Sequence, residues 1–290
     1  MKKLSLILAL TFIIIISGCS AKKTSNQKII TTTVNTYVEP VKSIAGDKYK
    51  VESIIKSVNV DPHSFTTTIN DAKNVSDSTL IVANGLGYDD WINKLIDSNN
   101  KSDNEINLAS GVLKKKNGQN EHVWFGVNNV LKLSEAVKNQ LSKRDPKNKD
   151  YYQSNYDKYS KKLGKLTTRE ADLKEITKGK KAYITEPLPY YLLRDLGISV
   201  ENEHFAKAIE DDTDPSVEDI QNMEDGLRNG KVDFLIVNKQ VSSSIVTKMT
   251  KIAKGNNIPV ISFTETLPSD IGYYEWMNGN LNQIEKAVQK

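Results

Sequence analysis

Short β-branched segments alternate with segments of helical periodicity in both halves of this 290-residue chain. The strand-like segments are residues 29–34, 49–58, 80–83, 106–109, 181–185, 232–237 and 259–263. Between them, apolar side chains recur at helical spacing in residues 37–45, 70–77, 89–97, 190–196, 217–229, 242–254 and 273–288. Such alternation is typical of βαβ units and predicts an α/β fold with mostly parallel sheets.

Two long helical segments, residues 127–144 and 150–176, separate the two halves, and Asp145-Pro146 interrupts them. An isolated helical hairpin would show the same pattern, but the sequences on both sides have βα character. We therefore expect two α/β lobes joined by a long connecting helix. The expected domains are a first lobe at 28–125, a helical connector at 126–177 and a second lobe at 178–290.

The first 19 residues have the pattern of a bacterial lipoprotein signal peptide. A basic start, residues 1–3, precedes an apolar run that is shorter than the about 20 residues needed to span a membrane. The run ends in Ile16-Ser17-Gly18-Cys19, which resembles a lipobox; a chance cysteine after a plain signal peptide is the alternative. Cys19 is the only cysteine, so it has no disulfide partner. The polar residues 20–27 are expected to form a tether.

The charge of the chain argues against one class of partner. Forty Lys and Arg residues stand against 36 Asp and Glu residues, which gives a net charge of +4. The two signs are interspersed, and no basic stripe with interleaved aromatic residues is present, so no nucleic acid is expected as a partner.

Four side chains lie at positions where open α/β sheets bind ligands. His63, Glu186 and Glu265 each follow a predicted strand, and His122 opens the connector. Two imidazoles and two carboxylates form a nitrogen-and-oxygen site of the kind that zinc, manganese and iron(II) accept. Two carboxylates also neutralise a dication, which lowers the cost of holding it in a partly closed cleft.

Each of these residues also has an ordinary structural interpretation. His63 fits a hydrogen-bonded surface residue, and His122 fits a ring packed beside Trp124. Glu186 and Glu265 fit acids at helix starts, where the helix dipole favours them. The third histidine, His204, lies among acidic residues and is expected in a solvated loop.

Several motifs follow one another in an order typical of one protein family. They are the lipobox, Asp61-Pro62-His63-Ser64-Phe65, the stretch from Asn84 to Trp91, His122-Val123-Trp124, Thr185-Glu186-Pro187, Thr264-Glu265-Thr266 and Trp276-Met277. With them, the chain resembles the metal-binding lipoproteins of bacterial zinc and manganese ABC transporters, the cluster A-I solute-binding proteins. The motifs span nearly all of the mature chain.

The resemblance implies a metal site between two α/β lobes. The first two family ligands are histidines and fall on His63 and His122. The third is His in many zinc-type members and Glu in manganese-type members, and it falls on Glu186. The fourth is usually Asp and falls on Glu265, with Asp270 as a possible substitute.

The resemblance also implies a function that is not enzymatic. The chain is expected to be a monomeric receptor for one manganese or zinc ion, anchored to membrane lipid by acylated Cys19 and serving an ABC transporter permease. The Lys114-Lys115-Lys116 loop stands where many zinc-type members carry histidines, which favours manganese. The alternatives are a metal-dependent hydrolase, which needs an open coordination position and a general base, and a surface adhesin.

Overall fold

The computed structural model describes residues 27–289. The expected signal peptide, the lipobox with Cys19 and nearly all of the expected tether lie outside the described residues. Within residues 27–289, none of the helices combines the length and the apolar character that crossing a bilayer requires.

Two four-stranded sheets, each with all of its strand pairs parallel, form the two lobes. The first lobe contains β1 (Lys28–Val34), β2 (Tyr49–Ile55), β3 (Ser78–Ala83) and β4 (Glu105–Asn107). The second lobe contains β5 (Lys181–Ile184), β6 (Ser199–Val200), β7 (Phe234–Asn238) and β8 (Val260–Phe263). The strand orders, β2-β1-β3-β4 and β6-β5-β7-β8, have the same layout. In each sheet the second strand along the chain lies on one side of the first strand, and the third strand lies on the other side. This switch in strand order opens a crevice at the carboxyl ends of β1 and β3, and likewise of β5 and β7.

Within the part of the chain that the structure describes, ten α-helices accompany the strands and cover the sheets. They are α1 (Val38–Ala45), α2 (Ile69–Asp77), α3 (Trp91–Ser98), α4 (Val127–Arg144), α5 (Lys149–Thr177), α6 (Tyr190–Asp195), α7 (Glu203–Glu210), α8 (Val217–Arg228), α9 (Ser244–Gly255) and α10 (Tyr273–Val288). The last five residues of β1 are all buried, as expected for a parallel strand covered on both faces. The predicted α/β class with two mostly parallel sheets and a long connecting helix is confirmed.

Helix α5, with 29 residues, contacts elements of both lobes. Lys162 Nζ lies 2.9 Å from Glu39 Oε1 on α1 and 3.5 Å from Glu275 Oε1 on α10. Two turns further along, Arg169 donates to Asn278 and to Glu285 Oε2 on α10. The connector is therefore bonded to the first lobe and to the second lobe through the same face.

A continuous apolar core also joins the lobes beneath the predicted site. The ring of Phe125 lies 6.1 Å from that of Phe263 and 5.2 Å from that of Trp276, measured between centroids. Phe125 precedes α4, whereas Phe263 ends β8 and Trp276 lies on α10. The aromatic contacts provide a rigid floor for any ligand held between the lobes.

Three local predictions are wrong. The strand predicted at 49–58 ends at Ile55, so His63 lies in a longer loop between β2 and α2. The strand predicted at 106–109 ends at Asn107, because a π-helical turn, Leu108–Val112, begins there and Asn107 caps it. Residue His204, expected in a loop, is an exposed residue of α7, which buries Phe205 and Ile209.

Candidate metal site

His122 is the most enclosed of the predicted ligands. Its side chain is 0% exposed, and the ring packs edge-on against Trp124 at a centroid distance of 5.1 Å. Its backbone N–H donates to Asn120 Oδ1 at 2.9 Å, and its ring Nδ1 lies 3.3 Å from the same oxygen. A proton on Nδ1 satisfies that contact and leaves the Nε2 lone pair facing the cleft.

Burial keeps the His122 imidazole neutral. Desolvation, followed by the neighbouring His63 and Lys207, lowers the pKa of His122 well below its usual value. Nε2 is buried and has no hydrogen-bond partner in the described structure. A buried nitrogen acceptor without a partner is costly, so this atom indicates a missing ligand.

His63 is held by its own loop and remains partly open to solvent. Its backbone N–H donates to Asp61 Oδ1 at 2.8 Å, and Ser64 Oγ donates to Asp61 Oδ2 at 2.8 Å, which closes a tight turn. Trp91 Nε1 donates to the carbonyl of Pro62 at 3.1 Å and ties the turn to α3. The turn is thus held by its own hydrogen bonds and by Trp91, while the His63 side chain is 33% exposed.

Glu265 follows β8 and meets the two histidines from the second lobe. Its carboxylate Oε1 lies 3.9 Å from His63 Nε2, and this oxygen is buried without a hydrogen-bond partner. Trp124 Nε1 donates to the backbone carbonyl of Glu265 at 3.1 Å, and the backbone N–H of Glu265 donates to Gln240 Oε1 at 2.6 Å. Ligand atoms of His63, His122 and Glu265 all lie within 4.8 Å of one another.

Glu186 lines the same cleft but is not part of that cluster. It follows β5, and its carboxylate Oε2 accepts a hydrogen bond from Asn238 Nδ2 at 2.6 Å. Asn238 ends β7, and its backbone N–H donates to Thr185 Oγ1 at 3.0 Å, so the contact crosses the switch point of the second sheet. Among the described residues, Glu186 belongs to neither of the two groups with metal-ligand spacing.

The carboxyl groups of the second lobe repel one another in the absence of a cation. Burial, followed by the charges of Glu186 and Asp61, raises the pKa of Glu265 to about 8. Burial raises the pKa of Glu186 to about 7, although its hydrogen bond from Asn238 acts in the opposite direction. A bound dication would reverse these shifts, because it favours the ionised form of each carboxyl group.

Among the acids of this cleft that sequence reasoning did not identify as site residues, Glu210 lies beside His122. It ends α7, and its Oε1 lies 3.5 Å from His122 Nε2. Burial, followed by the charge of Glu121, raises the pKa of Glu210 to about 7. The buried pair Phe205 and Ile209, four residues apart, was a legible signal for the helix that positions it.

The remaining sequence candidates lie elsewhere. Asp270 is exposed in the loop before α10 and does not line the cleft that contains His63, His122, Glu186 and Glu265. That cleft has a volume of about 1010 Å³, which admits a hydrated ion. The geometry supports capture of one dication by nitrogen and oxygen donors from two lobes.

Comparison with known proteins agrees with this geometry. The model of the family described as zinc-uptake complex component A, periplasmic, matches residues 30–287. The manganese ABC transporter substrate-binding lipoprotein PsaA of Streptococcus pneumoniae is 30% identical over the full length of both chains. A metal ABC transporter substrate-binding lipoprotein of Lactococcus lactis is 30% identical, covering 98% of this chain and 96% of the relative.

A solved structure shares the fold. The periplasmic zinc binding protein TroA from Treponema pallidum superposes with a TM-score of 0.74 at 18% identity, covering 90% of this chain and 99% of that one. These relatives are named as binding proteins rather than as enzymes, so the alternative of a hydrolase has no support among them. By the match along nearly its whole length, the chain belongs to the family of zinc-uptake complex component A, within the cluster A-I solute-binding proteins.

Proposed function

We propose that this chain is an extracytoplasmic receptor that binds one manganese or zinc ion and delivers it to an ABC transporter permease. The observation that carries the proposal is the convergence of His63, His122 and Glu265. Their ligand atoms lie within 4.8 Å of one another, and two of those atoms, His122 Nε2 and Glu265 Oε1, are buried without partners. An ion between them satisfies both atoms at once.

Glu186 is the fourth ligand in this proposal. It lies in the same cleft, and its charge helps to raise the pKa of Glu265, so the two carboxylates interact through space. Asn238 holds one of its oxygens and orients the carboxylate, as outer hydrogen bonds commonly do for metal ligands. Two neutral imidazoles and two carboxylates then balance the charge of a dication.

The donor set suits manganese as well as zinc. Carboxylate oxygens suit harder cations such as manganese, and imidazole nitrogens suit zinc. The lysine-rich loop at 114–116 offers no imidazole, and relatives at 30% identity are named as manganese or metal lipoproteins. We favour manganese as the physiological ion for these two reasons.

The N-terminal segment supplies the anchor in this proposal. Removal of residues 1–18 and acylation of Cys19 would tie the monomeric receptor to the outer face of the membrane. One acyl chain gives only marginal binding, and the two chains of a diacylglycerol meet the requirement for stable anchoring. The lipoprotein names of the relatives support this arrangement.

Calorimetry of the mature protein, purified without chelators and analysed for its metal content, tests the ligand set. We expect His63→Ala, Glu186→Gln and Glu265→Gln each to weaken manganese and zinc binding by roughly 100-fold, or about 2.7 kcal/mol. Asp270→Asn, which changes an exposed acid outside the cleft, is the matched control and should bind as the wild type does. Unchanged affinity in both His63→Ala and Glu186→Gln would refute the proposed site.

A further inference from the structure

In the described structure, one carboxylate oxygen of Glu210 lies in the cleft without a hydrogen-bond partner. Its side chain is 6% exposed, and its Oε1 is buried without a partner in the described structure. His122 Nε2 lies 3.5 Å from this oxygen and is itself buried without a partner in the described structure. Two unpartnered acceptors therefore face one another across a gap, an arrangement that a cation between them stabilises.

The position of Glu210 on its helix is unfavourable without a cation. It is the last residue of α7, where unpaired carbonyl oxygens carry the negative end of the helix dipole. Its other oxygen, Oε2, accepts a hydrogen bond from Lys207 Nζ at 2.6 Å, and the same ammonium group contacts Asp211 Oδ1 at 2.8 Å. Lys207 thus holds Oε2 and leaves Oε1 without a hydrogen bond beside His122.

A second group with metal-ligand spacing contains the same residue. Ligand atoms of His63, Glu121 and Glu210 lie within 4.8 Å of one another. Glu210 is therefore close to both histidines of the proposed site. We propose that Glu210 is a further ligand of the bound ion and biases the site toward manganese over zinc. This inference rests on the proposed receptor function.

Charge balance allows a third carboxylate here. Glu186, Glu210 and Glu265 bring three negative charges when ionised, and the dication with the neighbouring Lys207 supplies three positive charges. A third carboxylate raises the coordination number beyond the tetrahedral set of four that zinc prefers. Hard oxygen ligands in a larger set suit manganese, so Glu210 contributes more to manganese binding than to zinc binding.

The test compares two metals in four proteins: the wild type, Glu210→Gln, Glu210→Asp and Glu203→Gln. Glu203 lies in the first turn of α7 and is exposed, so its variant controls for loss of charge on the same helix. Manganese affinity is measured from the electron paramagnetic resonance signal of free Mn²⁺, and zinc affinity by competition with a chelating dye. Melting temperatures of the metal-free proteins verify that every variant folds.

We expect Glu210→Gln to weaken manganese binding by roughly 10- to 100-fold and zinc binding by less than about threefold. Glu210→Asp keeps the carboxylate and should recover part of the manganese affinity, while Glu203→Gln should leave both affinities unchanged. Equal effects of Glu210→Gln on the two metals, or no effect, would overturn the inference and leave the proposed receptor function intact. A wild-type protein that binds neither metal would overturn both.

Discussion

The first lobe and the second lobe contribute different chemistry to the same cleft. His63 and His122 come from the first lobe and its border, and both are positioned by hydrogen bonds to neighbouring oxygens. The second lobe contributes Glu186, Glu210 and Glu265, whose pKa values are all raised by burial. Burial keeps the His122 imidazole neutral, whereas it opposes the ionised form of the three carboxyl groups. The second lobe therefore carries most of the electrostatic cost of the empty site.

The largest effect should come from the most buried ring. We expect His122→Ala to weaken manganese and zinc binding by roughly 100-fold or more, because the change removes a buried nitrogen ligand outright. Calorimetric titration measures this loss. His204→Ala removes an exposed imidazole from α7 and is the matched control. If both variants bound metal as tightly as the wild type, His122 would not be a ligand of the ion.

A smaller effect should come from the residue that orients this ring. Asn120→Ala removes the oxygen that accepts from the His122 backbone and contacts Nδ1, so we expect affinity to fall about tenfold. Asn120→Asp keeps an oxygen acceptor and should retain most of the affinity. Asn256→Ala, which removes a side chain bonded only to a helix carbonyl, controls for general loss of stability. Titration of all three variants with Mn²⁺ gives the ranking.

The smallest effect concerns the stability of the metal-free protein. The folded pKa values of Glu186, at about 7, and Glu265, at about 8, exceed the ordinary value for a carboxyl group, so the folded state binds more protons than the unfolded state. Stability therefore falls as pH rises toward 8. The lowered pKa of His122 acts in the opposite sense only below about pH 6.5, where the unfolded imidazole becomes protonated.

Thermal melts at pH 6.5 and pH 8 separate these contributions. We expect the metal-free protein to melt a few degrees lower at pH 8, given a shift of about 2–4 °C per kcal/mol for a chain of this size. Manganese should abolish the decrease because it keeps the carboxylates ionised and paired. Glu265→Gln should show a smaller decrease than the wild type. A metal-free melting temperature that rises toward pH 8 would contradict the account of the second lobe.

Much of the fold could be predicted because local signals and tertiary packing agree. The predicted helices at 127–144 and 273–288 have the observed bounds, since their apolar faces are long and clearly periodic. Strand β6, with two residues, is too short to carry a periodic signal. The segment 203–210 was missed because it is only eight residues long and its apolar signal rests mainly on the pair Phe205 and Ile209.

The site could be predicted only in part. The ligand atoms of His63, His122 and Glu265 come together in space. These residues were predicted from their positions at strand ends or at the start of the connector and from the family motifs, and not from any local spacing. Glu210 approaches the cleft from a helix that sequence reasoning did not identify, so its role depends on tertiary structure. Sequence position likewise left Asp270 open as a substitute for Glu265, and only its exposure outside the cleft separates the two.

The contacts of α5 limit how an ion can enter and leave. Arg169 holds α5 to α10, and Lys162 on the same helix is bonded to Glu39 and lies close to Glu275, so a wide change in the angle between the lobes would break the contacts of α5 with one lobe or the other. Exchange of the ion therefore depends on local movement at the rim. The side chain of His63 is 33% exposed, so the turn that carries it gives solvent its access to the proposed ligands.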